Sequence, residues 1–260
     1  MNRIAKAFEN GNKAFIPFIT GGDPNVVTTE KLLFALDKAG ADIIEIGIPF
    51  SDPIAEGPVI EAAAERALKQ GCTVDKLFDL VQRIRNEINA AIIFMTYYNP
   101  VYAYGVERFT ARAKTCGIDG LIVPDLPFEE RDELLTPCKN NNLELISLIA
   151  PTSESRIDKI AKNSTGFLYC VSSLGVTGER NVIDKASQNM INRAKAASNI
   201  PCCVGFGISN AEQAKALAKF ADGVIVGSAI VKLIEQHSEN SVEHVHKFAK
   251  EIKTAVLQKI

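Results

Sequence analysis

The chain has 260 residues, 47% of them hydrophobic, so it can bury a large core; the length suits one α/β barrel or two small domains. Its net charge of -2 and pI near 6.0 provide no basic field for nucleic acid or an anionic membrane, which leaves a small-molecule substrate as the expectation. No apolar run approaches the roughly 20 residues of a membrane span.

The N-terminus carries Arg3 and Lys6, but the apolar run 14–20 is interrupted by Pro17 and followed by Gly21-Gly22-Asp23-Pro24, a poor signal peptide. Six cysteines (Cys72, Cys116, Cys138, Cys170, Cys202, Cys203) show no CxxC spacing. Three of them fall in apolar strand-like runs. They read as reduced, buried thiols of a cytoplasmic protein.

In chain order, β-rich runs recur at 15–20, 43–48, 92–97, 120–125, 145–150, 167–171, 201–207 and 224–228. Amphipathic segments separate them at 26–39, 61–69, 74–89, 106–116, 128–140, 153–162, 185–197 and 210–220. Ser153 and Asn210 read as helix N-caps, Gly40 and Gly117 as C-terminal stops. Strict alternation predicts a parallel sheet. Eight units fit a single (β/α)8 barrel covering residues 1–260, with extra helices at 1–9 and 242–258. An open doubly wound sheet is the alternative, but it would carry GxGxxG after its first strand, and that turn reads Thr20-Gly21-Gly22-Asp23-Pro24.

In such a barrel the chemistry comes from strand C-termini and the loops that follow. None of the eight runs holds a lysine, which removes a Schiff-base nucleophile from its usual place. All three histidines (His237, His244, His246) follow the last strand, and His244 and His246 diverge on a helix, so no metal site is expected. What remains is acidic. Glu45 alternates with Ile44, Ile46 and Ile48; if these pack on the helices, Glu45 points into the barrel mouth, where desolvation would raise its pKa into the range of proton transfer. Glu56, in the loop after strand 2, would complete a two-carboxylate site. Asp125 is a third candidate acid, though it reads first as a cap for the helix that starts near Pro127; Asp23 and Asp52 read as turn formers.

Strand 7 ends Val204-Gly205-Phe206-Gly207-Ile208-Ser209 and strand 8 ends Val226-Gly227-Ser228-Ala229 before a short helical turn to Ile234. Glycine-bared amides, a hydroxyl and a helix N-terminus form the frequent phosphate site of these barrels. After strand 6, the segment from Ser172 to Arg180 is small, polar and hinged by Gly175 and Gly178; it reads as a lid or as a plain surface loop.

Taken together, Pro17-Phe18-Ile19-Thr20 with Gly22-Asp23-Pro24, the block from Ile43 to Pro58, the segment from Ser172 to Gly178, and the two glycine motifs resemble the tryptophan synthase alpha subunit family, a TIM-barrel family. The resemblance implies cleavage of indole-3-glycerol phosphate to indole and glyceraldehyde 3-phosphate without a cofactor in this chain. It makes Glu45 the general acid/base and Glu56 the acceptor of the indole N–H, at a position where the family most often has Asp. It places Phe18, Met95, Ile122, Tyr169 and Thr177 around the indole or the lid, and Gly178, Phe206, Gly207, Gly227 and Ser228 on the phosphate. It also implies a pyridoxal-phosphate beta subunit in an alpha2beta2 complex, touching the loops 49–58, with Asp52, and 97–102. Two other readings stay open: another phosphosugar lyase or isomerase on the same barrel, and a module that chiefly activates the beta subunit.

Overall fold

A computed structural model describes residues 2–171, 185–205 and 207–258. Eight parallel strands, β1 (Ala14–Thr20), β2 (Ile43–Gly47), β3 (Ala91–Met95), β4 (Gly120–Ile122), β5 (Glu144–Ile149), β6 (Leu168–Val171), β7 (Cys202–Gly205) and β8 (Gly223–Val226), pair in sequence order and close between β8 and β1. Around them lie α1 (Arg3–Lys6), α2 (Val26–Lys38), α3 (Pro58–Lys69), α4 (Val74–Ile84), α5 (Tyr98–Tyr104), α6 (Val106–Cys116), α7 (Asp132–Asn140), α8 (Ile157–Asn163), α9 (Lys185–Ala197), α10 (Ala211–Ala218), α11 (Ser228–His237) and α12 (Ser241–Leu257). The predicted barrel is thus the observed one. The open sheet is excluded by its closure.

Local signals set many of the boundaries. Asn25, Thr73 and Asn210 accept backbone N–H groups of Thr28, Lys76 and Gln213 at the starts of α2, α4 and α10. Gly40 and Gly117 take φ of +94° and +82° past the ends of α2 and α6, where a side chain would be strained. Three expectations shift. β4 ends at Ile122, ahead of Pro124, which has no N–H to continue a ladder. The run 97–102 starts a helix rather than forming a loop, and α11 continues to His237. Ser153 accepts the Ala150 N–H within a 3-10 turn (Pro151–Arg156), and α8 begins only at Ile157.

Two cores follow from the period of the strands. Ile44, Ile46, Ile92 and Phe94 face outward onto Leu33, Leu77 and Phe78 of the helices, while Ile16, Ile43, Ile93, Ile122 and Ile146 fill the interior. Ile4, Ala7 and Phe8 join that interior cluster, so the N-terminal segment plugs one end of the barrel.

A recurring brace holds the same end. Asp42, Asp119 and Asp222, each one residue before an even-numbered strand, accept the N–H groups of Phe15, Ile92 and Cys202 at the start of the preceding strand, at 2.7, 2.9 and 2.9 Å. Lys253, Arg3 and Lys195 pair with the three carboxylates in turn. All six cysteines are free and buried.

Candidate active site

The mouth of the barrel is formed where β1 and β2 pair, with Phe18 opposite Glu45 and Thr20 opposite Gly47. Glu45 points inward, as the alternation of its neighbours requires, and has no exposed surface. Among the described residues neither of its carboxylate oxygens has a hydrogen-bond partner. Burial without compensation pushes its pKa up to about 8, so the side chain is largely protonated at neutral pH. Tyr169 lies near enough for the Glu45 charge to add to the burial that holds its phenol well above the usual range. Glu45 can therefore hold a proton and deliver it.

Above it, a narrow cleft is walled by Phe18, Met95, Ile60, Phe50 and Tyr97, with Thr20, Thr96, Glu56 and Glu61 among its polar members. Thr20 is buried, and its hydroxyl is without a partner among the described residues. Glu56 sits on the loop between β2 and α3. Burial raises its pKa, while hydrogen bonds from the Tyr97 hydroxyl and from backbone amides of Glu56 and Ala55 oppose the rise. The two acids thus occupy unlike environments, one dry and unpaired, the other half-buried and hydrogen-bonded. Such a pair can divide acid and base roles.

Glycines make room for the aromatic walls. A Cβ at Gly47 would lie 2.6 Å from the Phe18 ring, and one at Gly205 would lie 2.6 Å from the Tyr169 hydroxyl. Gly227 lies beside Phe18 and precedes Ser228, the first residue of α11. With glycine at the N-cap, this helix has no side-chain cap on its first amides, the arrangement in which a helix start receives an anion. Gly207 takes φ of +66° with open space around it, so conformation rather than room calls for glycine there.

The structure therefore brings Phe18, Met95 and Glu56 onto one cleft, places Ile122 and Tyr169 in the interior cluster with Met95 bridging the two, and sets Gly227 against Phe18. Thr177, Gly178 and Phe206 lie outside the described residues, as does the proposed lid. Asp125 caps a different helix from the one expected: its carboxylate accepts the Tyr98 N–H at the start of α5, at 2.9 Å. Asp23 does occupy the turn after β1, but it is fully buried and held bidentately by Arg66 at 2.8 and 2.9 Å. His244 stacks on His237 and His246 bonds the Ala35 carbonyl, so the two histidines do diverge.

Tyr97 is the residue that sequence reasoning missed. The resemblance assigns it only to a loop that touches the beta subunit, yet it is 4% exposed and bonded to Glu56, 41 residues away. No local spacing announces such a pairing.

The profile of the family described as tryptophan synthase alpha chain matches residues 4–257. A tryptophan synthase alpha chain of Halalkalibacterium halodurans is 51% identical over 235 residues, covering 90% of this chain and 89% of that one. One from Lacticaseibacillus casei is 45% identical over 256 residues, 98% and 96% of the two chains. Among solved structures, tryptophan synthase subunit alpha from Legionella pneumophila superposes with a TM-score of 0.89 at 37% identity over 98% of both chains. A structure described as the tryptophan synthase a2b2 complex of Pyrococcus furiosus gives 0.87 at 40% identity over 92% of this chain and 97% of that one. A closed barrel with an acid buried on its second strand, a second acid on the following loop and an uncapped helix after its eighth strand thus has relatives alike along nearly their whole length, and the chain belongs to the tryptophan synthase alpha chain family.

Proposed function

We propose that this alpha chain, acting as one barrel domain over residues 1–260, cleaves indole-3-glycerol phosphate to indole and glyceraldehyde 3-phosphate through Glu45 and Glu56. The observation that carries the reading is the buried, unpaired Glu45 carboxyl beside a largely apolar cleft. Protonated Glu45 gives its proton to indole C3, which dearomatises the five-membered ring and leaves positive charge on nitrogen. Glu56 accepts the N–H as that charge develops. Loss of the glyceryl hydroxyl proton, assisted by the now ionised Glu45, drives scission of the carbon–carbon bond, restores the indole and releases the aldehyde. Each proton taken from Glu45 is thus returned within one turnover.

Phe18, Met95, Ile122 and Tyr169 enclose the indole in this reading, with Thr177 on the lid. Gly178, Phe206, Gly207, Gly227 and Ser228 receive the phosphate, the start of α11 supplying its dipole. The chain's part of the chemistry is proton transfer between carboxylates, and pyridoxal phosphate belongs to the beta subunit. We place that partner on the mouth of the barrel, where Ile54 and Tyr102 are 81% and 64% exposed on the acidic loop and on α5. Among the described residues no helix is long and apolar enough to cross a membrane, and we assign the protein to the cytoplasm.

Indole release from indole-3-glycerol phosphate by the wild type and Glu45→Gln, each with and without a beta subunit, tests the assignment. Release by the wild type and loss of at least about 100-fold in the Gln variant is the expected result, in line with the usual worth of a general acid. Undiminished release by Glu45→Gln would refute the role of Glu45.

A further inference from the structure

The Tyr97 hydroxyl is a junction of three hydrogen bonds. It accepts the backbone N–H groups of Ile54 and Ala55, at 2.8 and 2.7 Å, and these occupy its acceptor positions. Its single proton is then left for the Glu56 carboxylate, to which it donates. The Tyr97 ring lies 5.3 Å from that of Phe50, and the residue immediately precedes α5, whose first amide, Tyr98 N–H, is held by Asp125 on the loop after β4. One phenol therefore ties the acidic loop to the barrel wall at two backbone points and one side-chain point.

We propose that Tyr97 is the positioning residue for Glu56: its hydroxyl sets the reach of that carboxylate into the cleft. The inference rests on the reading of Glu56 as a substrate-facing acid. Its consequence is that acid length and phenol are matched. Glu56→Asp withdraws the carboxylate from the hydroxyl by about one methylene, a displacement of the size that costs a positioned group about 100-fold. Once the hydroxyl is gone, the same shortening breaks nothing further. The titratable groups that face Glu56 are Tyr97 and Glu61; burial and Glu61 favour its neutral form and Tyr97 the charged one.

The test is steady-state indole release from indole-3-glycerol phosphate by the wild type, Tyr97→Phe, Glu56→Asp and the double variant, each in complex with a beta subunit. Tyr97→Phe keeps the ring contact with Phe50, and unfolding midpoints establish that each variant is folded. The expected result is a fall in kcat of about 10- to 100-fold for Tyr97→Phe with a smaller change in KM, and an acid limb of the pH profile displaced to higher pH. Glu56→Asp should cost several-fold less in the Tyr97→Phe background than in the wild type. Amide exchange reads the junction without any variant: the Ile54 and Ala55 amides of the wild type should exchange more slowly than those of Ser51 and Asp52 in the same loop.

Independent costs that multiply in the double variant, or an acid limb unmoved by Tyr97→Phe, would overturn the assignment while leaving the lyase reading intact. Equal exchange along the loop would overturn it as well. Absence of indole release from the wild type would overturn the lyase reading and this inference with it.

Discussion

Glu45 sets a conflict between stability and chemistry on one side chain. Because its folded pKa is raised from 4.5 to about 8, the folded chain binds a proton that the unfolded chain has released between those values. Stability from this group is complete below the unfolded pKa and is lost as pH rises through 8. Glu45→Gln cannot ionise and so escapes that loss. Urea unfolding should find the variant within about 1 kcal/mol of the wild type at pH 5 and more stable by roughly 4–5 kcal/mol at pH 9. Activity should follow the same titration in the opposite sense to that of Glu56. The kcat/KM profile rises as Glu56 ionises and falls as Glu45 loses its proton near pH 8, and the residual activity of Glu45→Gln should lack that alkaline fall.

Elements divide the labour between the two ends of the barrel. At the end plugged by α1, the aspartates before β2, β4 and β8 clamp neighbouring strands, and this end reads as stability. Asp119→Ala removes the acceptor of the Ile92 N–H and the partner of Arg3. It should lower the unfolding free energy by about 2 kcal/mol and leave the KM for the phosphorylated substrate unchanged. At the mouth, β7 has no such tolerance. Gly205 pairs with Val171 and Ile225 on either side, so its backbone cannot retreat, and Gly205→Ala would press a methyl against the Tyr169 hydroxyl. We expect it to cost about 1–3 kcal/mol in urea titrations and to remove most indole release, because Tyr169 is driven toward Glu45 and the indole space.

For the molecule as a whole, the acidic loop and α5 are shared between the cleft and the outer surface. Glu56 and Tyr97 face in, while Ile54 and Tyr102 face out. A partner covering the outer residues has a direct mechanical route to the inner ones, so indole release should rise when a beta subunit is added. Turnover measured with increasing beta subunit checks this, and a flat titration would disprove it. Asp125→Ala, which frees the start of α5, should weaken that stimulation while changing the unfolding midpoint little.

The sequence by itself determined the barrel, its eight strands in order and the inward direction of Glu45. These rest on periodicity, on glycine and cap residues, and on the rule that alternating strands and helices give a parallel sheet, all of which act over a few residues. Glu45 on β2, Glu56 on the loop that follows it and the glycines at the ends of β7 and β8 stood out because such barrels carry their chemistry on strands' C-terminal halves and the loops after them. Only the tertiary structure decided what those residues touch. The buried Asp23–Arg66 pair, the capping of α5 by Asp125 and the bond from Tyr97 to Glu56 join segments 27 to 43 residues apart. Such contacts form because barrel closure brings distant strand ends around one mouth. Which partners meet there depends on side-chain reach across the gap, a quantity that no local pattern encodes.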